Sequence, residues 1–250
     1  MDNFYDEVAK KFGGYDLVDD EPDHTAEYPS GDPDEIFKEK IRELADSNFT
    51  ALDIGCGDGT FSFNIADRFA KIVGLDSSKE LLRIAKQRAT ELRSDSLEFV
   101  FGDAEKTPFG DESFDIIFNR RGPSFYDEYA RLLKQGGHYV EIGIGEKDAM
   151  ELKQAFGRGQ NYGAWDESRL EQDKSEFDSA GVKAILARDY FYSESYASEG
   201  EFERFLKRVP IFEDFDPVND RQCLDRYFVK HRDGSRVKLN RHRVVYVVQK

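Results

Sequence analysis

Apolar residues in this 250-residue chain fall into short runs separated by segments of helical spacing, and the alternation is regular from about residue 35 to 144. Strands are predicted at 50–54, 71–75, 97–101, 114–119 and 138–144, with helices at 35–45, 59–69, 79–92 and 124–133 between them. Asp32 or Asp34, beside Pro33, marks the start of the first helix, and Gly136-Gly137 ends the last. Short strands separated by helices predict right-handed βαβ units and a parallel sheet.

Beyond residue 145 the pattern changes. Helices are expected at 146–156, 167–180, 198–207 and 218–230, with a strand at 183–193. The β-branched run 243–249 follows the turn signal Asp233-Gly234-Ser235 and suits a buried strand. These segments read as completing one sheet without an independent second domain. Residues 1–34 read as an N-terminal cap: an amphipathic segment over 4–12 stopped by Gly13-Gly14, then acidic and proline-containing loop. The single main domain spans 35–250, with a nucleotide-side half at 35–145 and a C-terminal half at 146–250.

Composition narrows the partners. Aromatic residues make up 14% of the chain, enough for a real core. No stretch approaches the roughly 20 apolar residues of a membrane span, and the first residues lack the basic and apolar regions of a signal peptide. Two cysteines, Cys56 and Cys223, make a disulfide framework improbable and fit a reducing cytoplasm. Neither lies in a metal-ligand spacing, and no metal site is expected. A net charge of −15 repels a polyanion, so nucleic acid is disfavoured as a partner. Arg241-His242-Arg243 is read as a solvated strand entry.

The candidate chemistry sits where the first predicted strand ends. Leu52-Asp53-Ile54-Gly55-Cys56-Gly57-Asp58-Gly59 places three glycines in five positions, letting backbone approach a ligand without intervening Cβ atoms. A dinucleotide fingerprint reads G-x-G-x-x-G, but Thr60 stands where its third glycine would be. Asp53 would repel a pyrophosphate and suits a cationic group instead. Both points argue against an NAD-dependent oxidoreductase. Asp76 ends the next strand and Asp103 follows the third. Taken singly, Asp76 with Ser77 or Ser78 is also a helix N-cap, and Asp103 a turn former. Cys56 reads as a small residue that fits, since no histidine is near it in sequence to activate it.

Five motifs in order carry a resemblance to a known family: the loop at 52–59, Gly74-Leu75-Asp76-Ser77-Ser78, Phe101-Gly102-Asp103-Ala104-Glu105 with Pro108-Phe109, Phe114-Asp115-Ile116-Ile117-Phe118, and Leu132-Leu133-Lys134-Gln135-Gly136-Gly137. Over about 35–145 the chain resembles the class I S-adenosylmethionine-dependent methyltransferases, in particular their small-molecule-like subgroup. The resemblance implies a Rossmann-like, seven-stranded, mostly parallel sheet with helices on both faces and the final strand antiparallel. It implies S-adenosylmethionine as cofactor and S-adenosylhomocysteine as product. Asp53 and the Gly55, Cys56, Gly57, Asp58 and Gly59 loop would hold the amino-acid end. Asp76 would accept from both ribose hydroxyls, with Ser77 and Ser78 beside the adenosine. Asp103 would take the adenine amine, flanked by Ala104 and Glu105, and Asn119 and Arg120 would lie near the sulfonium.

The acceptor is left open. The Asn/Asp-Pro-Pro-Tyr/Phe motif of DNA and glutamine methylases is replaced by Asn119-Arg120-Arg121-Gly122-Pro123. The two arginines are candidates for binding a carboxylate or phosphate, or for pairing with an acidic neighbour. The polar loop 157–163 is a candidate wall of an acceptor pocket. Tyr5, Phe12 and Tyr15 are either packed cap residues or rings that close over the sulfonium. Glu141, His138 and Glu146 lie near the fifth strand without a reason to choose one as base. Beside a small-molecule methyltransferase stand two other readings, a catalytically silent cofactor-binding module and an RNA methyltransferase. The related ribosomal-RNA guanine enzymes carry an N-terminal cysteine-rich zinc module, and this chain has no such cysteines.

Overall fold

The computed structural model describes residues 6, 7, 10, 21–165 and 167–250. The expected N-terminal amphipathic helix, with Tyr5, Phe12 and Tyr15, falls almost entirely outside them. Nine strands form one sheet: β1 (His24–Glu27), β2 (Thr50–Ile54), β3 (Lys71–Asp76), β4 (Leu97–Phe101), β5 (Phe114–Arg120), β6 (Leu133–Ile144), β7 (Lys183–Tyr196), β8 (Arg232–Asp233) and β9 (Arg236–Gln249). Their order is β1-β7-β9-β6-β5-β2-β3-β4, with β8 hairpinned onto β9. Strands β2 to β6 are parallel, and β9 runs antiparallel between β6 and β7.

The α/β class and the antiparallel final strand are as expected, but among the described residues the count is nine, not seven. Two short strands make the difference. β8 is the first arm of the tight turn at Asp233-Gly234, where Gly234 takes φ +58°. β1 lies within the stretch read as a cap; its four residues pair with Ser193–Tyr196 and join the sheet as an edge. An edge strand this short leaves no periodic signal to read.

Among the described residues from 21 onward the α-helices are α1 (Pro33–Leu44), α2 (Thr60–Ile65), α3 (Lys79–Leu92), α4 (Tyr126–Leu132), α5 (Met150–Phe156), α6 (Arg169–Ser179), α7 (Glu199–Leu206) and α8 (Arg221–His231). Caps set where they start. The Asp32 side chain accepts from Asp34 N–H ahead of Pro33, and the Ser78 hydroxyl accepts from Leu81 N–H at the head of α3. α3 turns Leu81, Leu82 and Ala85 inward, and each buried leucine contributes about 1.5–3 kcal/mol.

Successive residues of the parallel strands feed opposite faces of the sheet. Ala51 and Ile72 pack in one apolar layer, Leu52 and Val73 in the other. A third cluster, built on Phe202, Leu224, Tyr227, Phe228, Val237 and Leu239, lies where α7 and α8 cover the long ends of β7 and β9. The C-terminal half therefore extends the sheet and adds a local core of its own.

Candidate functional site

Strand order reverses between β2 and β5, because the chain runs from β2 outward through β3 to β4 and then returns to β2's other side. Helices on opposite faces diverge there, leaving a crevice at the carboxyl ends of the strands. Register aligns those ends: Ile54 stands opposite Leu75 on one side and Asn119 on the other. A cavity of about 490 Å³ opens at this point, of the size that small-molecule sites occupy.

The glycine loop forms its floor. Gly55 and Cys56 N–H both donate to Leu75 carbonyl, at 2.8 and 3.1 Å, turning the chain sharply after β2. Gly55, Gly57 and Gly59 all take left-handed φ of +68°, +56° and +77°. A Cβ on Gly55 or Gly57 would meet nothing closer than 3.6 Å, so these two leave room on the cavity side. Gly59 differs: a Cβ there would lie 2.6 Å from the Phe99 ring.

Asp76 anchors the loop from the neighbouring strand. Its Oδ2 accepts from Gly57 N–H at 2.8 Å and its Oδ1 from Ser78 N–H at 2.7 Å. Each oxygen keeps a lone pair for a ligand hydroxyl. Burial pushes this carboxyl up, opposed by its backbone donors. Asp103 Oδ1 accepts from Glu105 N–H at 2.9 Å in an Asx turn. Asp53 is buried and receives the Ser62 hydroxyl, while Asp58 accepts from Thr60 N–H at 3.1 Å.

Of the residues expected from sequence, Asp53, Gly55, Cys56, Gly57, Asp58, Asp76, Ser77, Asp103, Ala104 and Arg120 line this one cavity. Four others do not line it. Ser78 is fully buried as the α3 cap and donates to Asp6, whose carboxylate also receives Glu80 N–H at 3.3 Å. Gly59 packs against aromatic rings, and Glu105 is exposed. Asn119 is fully buried; its amide donates to Pro123 carbonyl at 2.7 Å and accepts from Gly122 N–H at 2.7 Å, shaping the 119–123 turn. Burial pushes the Cys56 thiol well up, away from nucleophilic use.

Arg120 and Arg121 both turn to Asp34 at the start of α1, at 3.3 and 2.9 Å from its Oδ1. Burial alone would raise that carboxyl, but Arg121 and Arg120 outweigh it and hold it well below the usual range. The three base candidates do not line the cavity. Glu141 is fully buried in a network with Arg169, Ser124, Tyr126 and Tyr139.

The C-terminal wall was expected only at the polar loop 157–163. Gln160 and Asn161, from the polar loop, line it together with Val209, Pro210 and Ile211, and Gln160 N–H donates to Ile211 carbonyl at 2.8 Å. Asp148, Lys153, Arg169, Arg241 and Arg243 complete it. Arg241 and Arg243 are not solvated: they are 7% and 1% exposed. The available signal was their two-residue spacing, which puts both side chains on one face of a strand. Among the described residues no cluster of His, Cys, Asp or Glu has the makings of a metal site, and no helix is long and apolar enough to cross a membrane.

A family model for the methyltransferase domain matches residues 45–181, more than half of the chain. The chain belongs to that family. This methyltransferase domain is of the S-adenosylmethionine-dependent class I type anticipated from its motifs. It is 35% identical over 117 residues to the demethylmenaquinone methyltransferase of Oceanobacillus iheyensis, a match covering 43% of this chain and 49% of that one. The chain thus spans about half the length of the curated relatives it matches. The Bacillus subtilis protein YcgJ superposes with a TM-score of 0.64 at 19% identity, over 87% of this chain and 98% of its own. The [4+2]-cyclase SpnF superposes with a TM-score of 0.59 at 18% identity, over 99% of this chain and 92% of its own. These two likenesses establish the methyltransferase fold, and the second shows it hosting a protein named for another reaction.

Proposed function

We propose that this protein transfers a methyl group from S-adenosylmethionine to a small-molecule acceptor. The observation that carries the reading is the pairing of the left-handed glycine loop with Asp76, a cavity-lining carboxylate whose two oxygens are each held by a backbone donor. The residues present suit the cofactor: a backbone cradle open on the cavity side, a carboxylate at the end of β3 and another after β4. In this reading Asp76 accepts from the ribose hydroxyls and Asp103 from the adenine amine, with Ala104 beside the ring. Asp53 and the backbone of Gly55 to Gly57 hold the amino-acid end.

When bound, the cofactor supplies an electrophilic methyl group on a sulfonium sulfur. The chain's own part is alignment and exclusion of water, which suffice for large accelerations of an in-line displacement. The Arg120–Asp34 pair closes one side of the cavity and the 209–211 segment another. The net charge of −15 favours a small acceptor over a nucleic acid. Two free cysteines support a reducing, cytoplasmic setting.

Calorimetry with S-adenosylmethionine, S-adenosylhomocysteine and NAD tests the cofactor. Saturable binding of the first two is expected, and binding of NAD alone would overturn the reading. Transfer of label from methyl-labelled cofactor across an acceptor panel separates an enzyme from a silent binding module.

A further inference from the structure

The cavity is electrically two-sided. Asp53, Asp58, Asp76 and Asp103 lie toward the ends of β2 to β4, whereas Lys153, Arg241 and Arg243 lie on the C-terminal wall. Arg169 on that wall is matched by its own buried carboxylates, Glu141 and Asp173, so the imbalance is local to Lys153, Arg241 and Arg243. Arg241 pairs with Asp148 at 2.9 Å and with Glu194 at 2.8 Å, and Arg243 pairs with the same Asp148 at 2.6 Å. The next carboxylate along, Asp34, is taken up by Arg120 and Arg121.

Lys153 is left over. It is 4% exposed on α5, close enough to feel Asp148, Arg241 and Arg243, yet its ammonium makes no hydrogen bond or ion pair with any described residue. Arg243 likewise has a buried Nε–H with no acceptor among the described residues. Three cations here share two carboxylates. Holding the Arg243 Nε–H out of water without an acceptor is costly, and the Lys153 ammonium beside it lines the cavity, where a ligand can reach it. Desolvation pulls the Lys153 ammonium's pKa down, and an arriving anion would oppose that shift.

Resting on the methyl-transfer reading, we propose that the acceptor is anionic, and that Lys153, backed by Arg243 and Arg241, grips its carboxylate or phosphate group opposite the cofactor side of the cavity. The surplus charge would orient the acceptor with its anionic end at α5 and β9 and its remaining part toward the glycine loop. Strand β9 and α5 thereby select the substrate, while β2 to β4 select the donor.

The test uses the whole chain, with and without saturating S-adenosylhomocysteine, and six probes: inorganic phosphate, phenyl phosphate, benzoate and 4-hydroxybenzoate, with benzamide and phenol as neutral counterparts. Saturable binding of anionic probes by calorimetry, with neutral ones at least about tenfold weaker, is expected. Comparing the phosphate and carboxylate arms assigns the anion class. Lys153→Met should weaken the anions by about thirtyfold or more, and Lys153→Arg should restore most of the affinity. Both variants should bind S-adenosylhomocysteine as the unaltered protein does, which also verifies their fold. Equal affinity for neutral and anionic probes, no anion binding, or full anion affinity in Lys153→Met would each overturn the proposal. Failure to bind S-adenosylhomocysteine at all would instead count against the methyl-transfer reading.

Discussion

Arg243 Nη1 lies 2.6 Å from Asp148 Oδ1, and both side chains are 2% exposed. The pair ties β9 to the loop that follows β6, and Asp148 holds Arg241 and His242 N–H as well. Burial alone would raise the Asp148 carboxyl, but Arg241 and Arg243 outweigh it and keep it charged well below the usual range. One carboxylate thus positions the basic wall of the cavity.

Replacing Asp148 with Asn leaves two buried guanidinium groups short of charge. A stability loss of about 3–5 kcal/mol is expected, read as a lowered urea midpoint at neutral pH. A loss below about 1 kcal/mol, the range of a solvated pair, would show that the network is not structural.

Asp76→Ala should weaken S-adenosylhomocysteine binding by about 1.5–3 kcal/mol, through lost charged hydrogen bonds to the ligand and loosening of the Gly57 and Ser78 backbone. Calorimetry on the purified variant measures it. Unchanged affinity would remove Asp76 from the binding site.

Gly59 and Gly136 separate two costs of adding a methyl group. Both have left-handed φ, +77° and +76°, but a Cβ at Gly136 meets nothing within 4 Å while one at Gly59 runs into Phe99. Gly136→Ala should cost about 1–2 kcal/mol from backbone strain alone, and Gly59→Ala clearly more. Thermal unfolding of the two variants gives the difference, and equal losses would mean that Phe99 moves aside freely.

Glu128 provides a pH-dependent contribution. Its carboxylate receives Arg131 and both the N–H and hydroxyl of Thr107, and these hold its pKa at about 2 against an ordinary 4.5. A lowered folded value means stability that is complete above pH 4.5 and lost as pH falls toward 2. Glu128→Gln should therefore cost about 1 kcal/mol at pH 6, allowing for solvent screening of this partly exposed pair. The gap to the unaltered protein should narrow as pH falls below 4.5. A gap independent of pH would assign the loss to packing.

Much of the cavity at the ends of β2 to β4 was legible in the sequence because its signals are local. Gly55, Gly57 and Gly59 are needed wherever a chain turns from strand to helix through left-handed φ, and Asp76 follows at the end of the very next strand. Ser78 and Asn119 show the limit of such reading. Proximity in sequence put them near the site, but Ser78 turns back to cap its helix and Asn119 closes its own turn, so neither lines the cavity.

The sequence by itself determined the alternating α/β order, the loop at 55–59 and the acidic residues that follow β3 and β4, since hydrophobic period and backbone sterics act over a few residues. Only the tertiary structure decided the nine-strand edge and the basic wall. Arg241 and Asp148 are 93 positions apart and meet only because β9 inserts antiparallel beside β6. In sequence Arg241 and Arg243 look like a solvated charge pair. Burial against a shared carboxylate makes them, with Lys153, the basic wall of the cavity, where the proposed acceptor's anionic group would sit.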